Sequence, residues 1–233
     1  MRGKNVDGPA SATMRSDWNE RARENARYYI ASDNWETEEE FDRSGERDVE
    51  IILSDMGEYA PPEATVLEIG CGAGRMLKPL AKRFKRVYGV DVSTEMIRLA
   101  EERLQGLRNV QTWSNNGQDL EYLRNASVDL VISYVTFQHI PDRGAIIAYI
   151  NEAYRVLRPG GAFKFQVHGR EDTPESAARE AAAKLTTWRG AQFTKPEIIE
   201  ITRAAGFEIA HDYSADEGAL PVSYLWVAAR RPR

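Results

Sequence analysis

Glu68, Gly70, Gly72 and Gly74 fall at alternate positions in VLEIGCGAGRM, residues 66–76. Glycine adopts positive φ without penalty and lets a ligand lie close to the backbone. Three of them in this spacing describe a loop that passes beneath a bound nucleotide-like molecule. The dinucleotide fingerprint G-x-G-x-x-G does not fit, because its third glycine would fall on Arg75. The phosphate-binding P-loop does not fit either, since no G-K-[ST] follows. Glu68 adds negative charge beside the loop, which disfavours a pyrophosphate and suits a ligand with a cationic end.

Two further groups extend this chemistry. Asp91 closes the next apolar run, RVYGVD. A carboxylate there can accept hydrogen bonds from both ribose hydroxyls, or cap a helix that starts near Ser93 and Thr94. Asn116-Gly117-Gln118-Asp119 follows a third run. Its amides and acid can meet an exocyclic amine such as that of adenine, or simply make a turn. Ribose, adenine and a cationic amino-acid end together describe S-adenosylmethionine.

Proton-transfer candidates are few. His139, in FQHIPD, is the leading one, because histidine titrates near neutrality and can take a proton from an attacking amine or hydroxyl. Its alternative is to hold the turn at Pro141. His168 ends a later strand, and His211 reads as structural. Tyr28, Tyr29 and Trp35 form an aromatic cluster at the end of an N-terminal helix. They either pack that helix down or place an electron-rich ring beside a cation. Arg170, Trp188 and Arg189 either bind a substrate carboxylate or face solvent.

The elements that must hold these residues alternate. Strands read at 64–69, 86–91, 109–114, 128–133 and 162–168, and helices at 75–84, 94–105, 142–157 and 195–205. The strands are apolar almost throughout, as when both faces are covered. The pattern predicts a doubly wound, Rossmann-like α/β sheet of seven mostly parallel strands. Its last two strands, 207–213 and 222–230, are joined by a short polar loop, so the final one is expected antiparallel. Residues 1–13 read as a disordered tail and 14–60 as a helical lid, with helices from Ser16 and over Thr37–Met56, the second broken near Gly45. Residues 61–233 form the ligand-binding domain, with an inserted helix at 170–190.

Composition narrows the setting. The chain has 233 residues, a net charge of −5, three histidines and one cysteine, Cys71. An acidic balance argues against nucleic acid as partner, and a lone cysteine gives no internal disulfide. No apolar run of membrane-spanning length occurs, and MRGKNVDGPASATM has no apolar signal core. The expectation is a cytoplasmic protein with no membrane association.

The sequence resembles the class I S-adenosylmethionine-dependent methyltransferases. The matching segments are VLEIGCGAG (66–74), VYGVDVSTEMI (87–97), NNGQDL (115–120), VDLVISYVTFQHIPD (128–142), LRPGGAFKF (157–165) and TKPEIIEITRAAGFEI (194–209). They occur in the family's order across about residues 60–230. The resemblance implies that the Gly70–Gly74 loop, with Cys71 and Arg75, lies under the cofactor's amino-acid part and ribose. It implies that Asp91 and Val92 hold the ribose and that Met96 packs on adenine. Asn116 stands where many members carry an acid, with Gly117 and Gln118 beside it. Ser133, Tyr134 and the residues up to His139 would line the methyl end and the substrate. N-terminal helices of the family often close over the cofactor, which would bring Tyr28 or Tyr29 near the sulfonium, with Tyr29 and His139 as the catalytic candidates.

The implied reaction is in-line transfer of the sulfonium methyl to N or O of a small molecule, a natural-product or amino-acid derivative, leaving S-adenosylhomocysteine. The [DN]-P-P-[YF] signature of many nucleic-acid amino methyltransferases is replaced by Ser133-Tyr134-Val135-Thr136. The metal-dependent type needs acids near the fourth strand, which ends in Ser133-Tyr134, so no metal is expected. A protein or RNA methyltransferase, and a non-catalytic binding protein on the same fold, remain as alternatives.

Overall fold

The computed structural model describes residues 9–31, 37–215 and 224–233. Trp35 and most of the polar loop before the last strand lie outside them. Strands β1 (Thr65–Ile69), β2 (Arg86–Asp91), β3 (Val110–Ser114), β4 (Val128–Ser133) and β5 (Leu157–Gly169) are parallel. Strand β8 (Tyr224–Arg230) runs antiparallel between β5 and β7 (Glu208–Ala215). The strand order is β3-β2-β1-β4-β5-β8-β7. The sheet has eight strands where seven are expected, because two extended residues, β6 (Gln192–Phe193), pair with the tip of β5 at His168 and Gly169.

Apolar layers cover both faces, as the continuous apolar strands require. Alternation along β1 divides them: Val66 enters one layer, Leu67 and Ile69 the other. The first layer holds Val49 and Ile52 of α2 (Glu38–Leu53), Leu77 and Leu80 of α3 (Leu77–Arg83) and Ile97 of α4 (Thr94–Arg103). The second holds Ile146 and Ile150 of α5 (Arg143–Val156) and, past α6 (Pro174–Ala182), Ile198 of α7 (Lys195–Ala204). Local chemistry sets the helix starts. Thr37 and Thr194 form capping boxes with Glu40 and Glu197, and Ser93 and Asp142 cap α4 and α5.

Three expectations need correction. Helix α1 (Pro9–Ala31) begins inside the segment assigned to a tail, because Ser11 and Met14 are buried against the rest of the fold. It is interrupted at Asn25, whose backbone is non-helical and whose Oδ1 accepts the Tyr28 N–H at 3.1 Å. Helix α2 is unbroken at Gly45. That glycine is there because a Cβ would stand 2.4 Å from the Arg75 carbonyl oxygen, so the helix can lie directly on the glycine loop. The inserted helix α6 ends at Ala182, and the chain then returns over the sheet edge as a loop through Trp188.

Candidate active site

The carboxyl ends of β1, β2 and β4 open into a cavity of about 780 Å³, counting its solvent-open mouth. This is where doubly wound sheets bind ligands. Its floor is Glu68, Gly70, Cys71 and Gly72, and one wall is Asp91, Val92, Met96 and Gly117. The opposite wall is Tyr134, Val135, Thr136, His139 and Ile140. Helix α1 supplies the cover through Met14, Trp18, Tyr29 and Ile30.

Glu68 is buried and its Oε2 has no hydrogen-bond partner among the described residues. Loss of hydration, opposed by Arg75 and helped to a smaller extent by Asp91, raises its pKa to about 8. A buried carboxyl without a partner is costly, and a cationic ligand group would relieve it. Asp91 is raised by burial to about 6. Its Oδ2 accepts the Gly72 N–H at 2.9 Å and its Oδ1 the Ser93 N–H at 2.8 Å. Those bonds fix the carboxylate and leave lone pairs for a vicinal diol. Ser93, not Asp91, caps α4, since its Oγ accepts the Met96 N–H at 3.0 Å.

The glycines divide by function. Gly70 has φ +77°, and a Cβ there would stand 2.2 Å from the Thr136 side chain. Gly72, at φ +50°, lies under Ile30 of the cover. Gly74 is off the cavity wall; it lets the loop pack on Ala100 and Leu104 at the end of α4. Arg75 lines the cavity while its Nη1 donates to Asp48 Oδ2 at 2.6 Å and Ser44 Oγ at 3.3 Å, tying the loop to α2.

His139 sits in a short 3-10 turn, residues 137–139, and reaches the cavity. The Trp188 carbonyl, 3.0 Å from Nδ1, can only accept, so Nδ1 carries the hydrogen and Nε2 is the acceptor. Gln138 Nε2 lies 3.5 Å from that atom. Burial lowers the His139 pKa to about 4, so the ring is neutral at pH 7. Trp18 and Trp188 flank it at ring-centroid distances of 5.3 and 5.1 Å. Tyr29 lines the cavity, with its hydroxyl donating to Glu24 Oε2 at 2.9 Å.

Other expected contacts are placed elsewhere. Tyr28 is exposed and stands edge-on to Tyr29, off the wall. Asn116 makes the turn: its Oδ1 accepts from the Gln118 and Asp119 N–H groups, each at 3.1 Å, and its Nδ2 donates to Asp119 Oδ2. Gln118 is exposed. Ser133 is buried and donates to the Ile69 carbonyl, joining β4 to β1. His168 stacks on Tyr224 outside the cavity, and His211 is exposed on β7. Arg170 is ion-paired to Glu180 and Glu197. Among the described residues no three His, Cys, Asp or Glu gather to hold a metal, and no helix is long and apolar enough to cross a membrane.

Met14, Ile30, Met76 and Tyr149 also line the cavity, and no motif in the sequence marks them. Ile30 was visible only as one more apolar residue beside two tyrosines. Tyr149 lies in the apolar stripe of α5, and what brings it here is its hydroxyl bond with Asn115 at 2.8 Å.

Residues 66–161 match the family model described as a methyltransferase domain. The chain belongs to the class I S-adenosylmethionine-dependent methyltransferases. It is 33% identical over 178 residues to a trans-aconitate 2-methyltransferase of Deinococcus radiodurans, covering 76% of this chain and 57% of that one. It is 30% identical over 162 residues to phosphoethanolamine N-methyltransferase 2 of Caenorhabditis elegans, covering 67% and 35%. The chain spans about half the length of the curated relatives it matches. The structure of geranyl diphosphate C-methyltransferase from Streptomyces coelicolor A3(2) superposes with a TM-score of 0.67 at 15% identity, covering 96% and 98% of the two chains, a likeness of fold.

Proposed function

We propose that this protein transfers a methyl group from S-adenosylmethionine to N or O of a small molecule. The observation that carries the reading is the unpartnered Glu68 Oε2 beside the anchored Asp91 carboxylate, on a floor of bare glycine backbone. One acid meets an ammonium, the other a ribose, and the glycines admit the chain between them. Met96 and Val92 offer apolar surface to the adenine. Bound there, S-adenosylmethionine supplies an electrophilic methyl group.

The residues around it bind, orient and exclude water. Trp18, Ile30 and Tyr29 close the mouth, which strengthens electrostatic contacts inside. His139 keeps Nε2 unprotonated and directed by its Nδ1–H bond to Trp188, so it can accept the N–H or O–H of the methyl acceptor. Its low basicity suits orientation of a neutral amine better than deprotonation of a hydroxyl. Two of the relatives are named for small acceptors, trans-aconitate and phosphoethanolamine, which supports the small-molecule class.

Calorimetric titration with S-adenosylmethionine and S-adenosylhomocysteine tests the reading. Both should bind, and Asp91→Ala should weaken them by roughly 2 kcal/mol, as loss of charge-assisted hydrogen bonds does. A folded protein that binds neither would sink it.

A further inference from the structure

We propose that the methyl acceptor carries a carboxylate that pairs with Arg21 at the mouth of the cavity. The inference rests on the methyl-transfer reading and narrows its substrate class. Arg21 projects from the covering helix α1, and its guanidinium lies 4.8 Å from the ring centroid of Trp18, 5.5 Å from Trp188 and 5.9 Å from Tyr29. Trp18 and Tyr29 are cavity wall, and Trp188 holds His139. The cation is thus set at the entrance by two separate parts of the chain, α1 and the loop after α6.

Among the described residues Arg21 makes no salt bridge, and one nitrogen donates to the Thr187 carbonyl at 3.2 Å. Asp17 and Glu24, four residues before it and three after it on α1, accept other hydrogen bonds. Asp17 accepts the Thr187 hydroxyl at 2.6 Å, and Glu24 accepts the Tyr29 hydroxyl at 2.9 Å. Arg75, Arg103, Arg155 and Arg170, by contrast, all meet carboxylates. A guanidinium has five donors in a planar fork that matches a carboxylate. Aromatic faces stabilise the cation without occupying that fork.

The same arrangement selects the size of the anion. No second cation lies over these rings among the described residues. One guanidinium balances the single charge of a carboxylate. A phosphate monoester carries nearly two charges at neutral pH and would be left half neutralised. The rings of Trp18, Trp188 and Tyr29 also offer flat apolar surface for the body of such an acid.

The test is calorimetry with benzoate, benzamide and phenyl phosphate as probes, on the protein saturated with S-adenosylhomocysteine. Benzoate should bind roughly tenfold or more tightly than its uncharged isostere benzamide, the ratio expected for a charge-assisted hydrogen bond. Arg21→Met should abolish that ratio, and Arg21→Lys should keep most of it. S-adenosylhomocysteine should bind Arg21→Met as it binds the wild type, which shows the variant folded and keeps the cofactor question separate. Equal binding of benzoate and benzamide, or a ratio unchanged in Arg21→Met, overturns the proposal. Tighter binding of phenyl phosphate than of benzoate overturns it in favour of a phosphorylated acceptor. If S-adenosylhomocysteine does not bind at all, the methyl-transfer reading fails, while the benzoate ratio in the free protein still reports on Arg21.

Discussion

The backbone N–H of Val135 donates to Oε1 of Gln166 over 3.2 Å, tying the loop after β4 to the neighbouring strand β5. The tie holds a residue in an unfavourable place. Val135 has φ +52°, a conformation that a branched Cβ rarely adopts, and it is part of the cavity wall. Strain of this kind is stored at sites where the surrounding structure overdetermines it. Here the adjacent Thr136 hydroxyl, bonded to the Tyr134 carbonyl at 3.0 Å, and the buried Ser133 hydroxyl on Ile69 fix both flanks.

That strain reverses an ordinary ranking. Alanine in place of glycine usually stabilises, but at left-handed φ an L side chain costs about 1–2 kcal/mol. Val135→Gly is therefore expected to be more stable than Val135→Ala by about 1 kcal/mol in urea denaturation. Gln166→Leu should destabilise by about 1–3 kcal/mol, because it leaves the Val135 N–H without its acceptor. Finding Val135→Ala the more stable of the two would show that the loop is relaxed.

Glu68 makes stability and ligand binding move in opposite directions. The unfolded chain releases this proton near pH 4.5, the native protein near pH 8. Between those values the native state binds more protons, so this carboxyl lowers stability as pH rises from 4.5 to 8. Asp91, raised to about 6, adds to the lower part of that window, which leaves pH 6–8 to Glu68. Glu68→Gln should raise the urea midpoint at pH 8, change it little at pH 4.5, and weaken S-adenosylhomocysteine. Wild-type binding should also release protons at pH 7, seen as a heat that depends on the buffer. A variant destabilised equally at both pH values would mean that Glu68 has an internal partner.

Gly70 and Gly106 separate conformational strain from close packing. Both have positive φ, +77° and +91°. A Cβ at Gly106 meets nothing within 4 Å, whereas at Gly70 it meets Thr136 at 2.2 Å. Gly106→Ala should cost about 1 kcal/mol, the left-handed penalty alone. Gly70→Ala should cost about 1–3 kcal/mol more, as overpacking does, and lower cofactor affinity by shifting Thr136. Equal losses in thermal or urea unfolding would remove packing as the reason for Gly70.

Much of this was legible in the chain because the signals were local. RVYGVD and VDLVIS are apolar runs with sharp polar ends, and their bounds coincide with β2 and β4. Thr37 with Glu40 and Thr194 with Glu197 announce helix starts three residues apart. What was not legible depends on partners distant in sequence. Gly74 resembles Gly70 and Gly72 in the motif, yet it faces Leu104 rather than the cavity. Asn116 could have met a ligand or made a turn, and only the positions of Gln118 and Asp119 decide. The start of the cover depends on distant partners in the same way. Pro9 to Thr13 look like a polar tail until Ser11 reaches the Asn116 carbonyl and Met14 lies against Gly117.

One amide ties the covering helix to α4. Asn19 Oδ1 accepts from the Ser93 hydroxyl at 2.8 Å and from the Glu95 N–H at 3.0 Å, at the first turn of α4. A helix start leaves such N–H groups without partners and carries partial positive charge. Asn19→Ala removes the acceptor, a loss of about 1 kcal/mol, so amides of α1 should exchange hydrogen roughly fivefold faster. S-adenosylhomocysteine should leave faster by a similar factor, since the cover must open for release. Asn19→Asp keeps the acceptor oxygen and adds charge of the favourable sign, so it should exchange no faster than the wild type. If Asn19→Asp loosens α1 as much as Asn19→Ala, the tie is not an acceptor bond to α4, and the cover is held by Trp18 and Met14 packing instead.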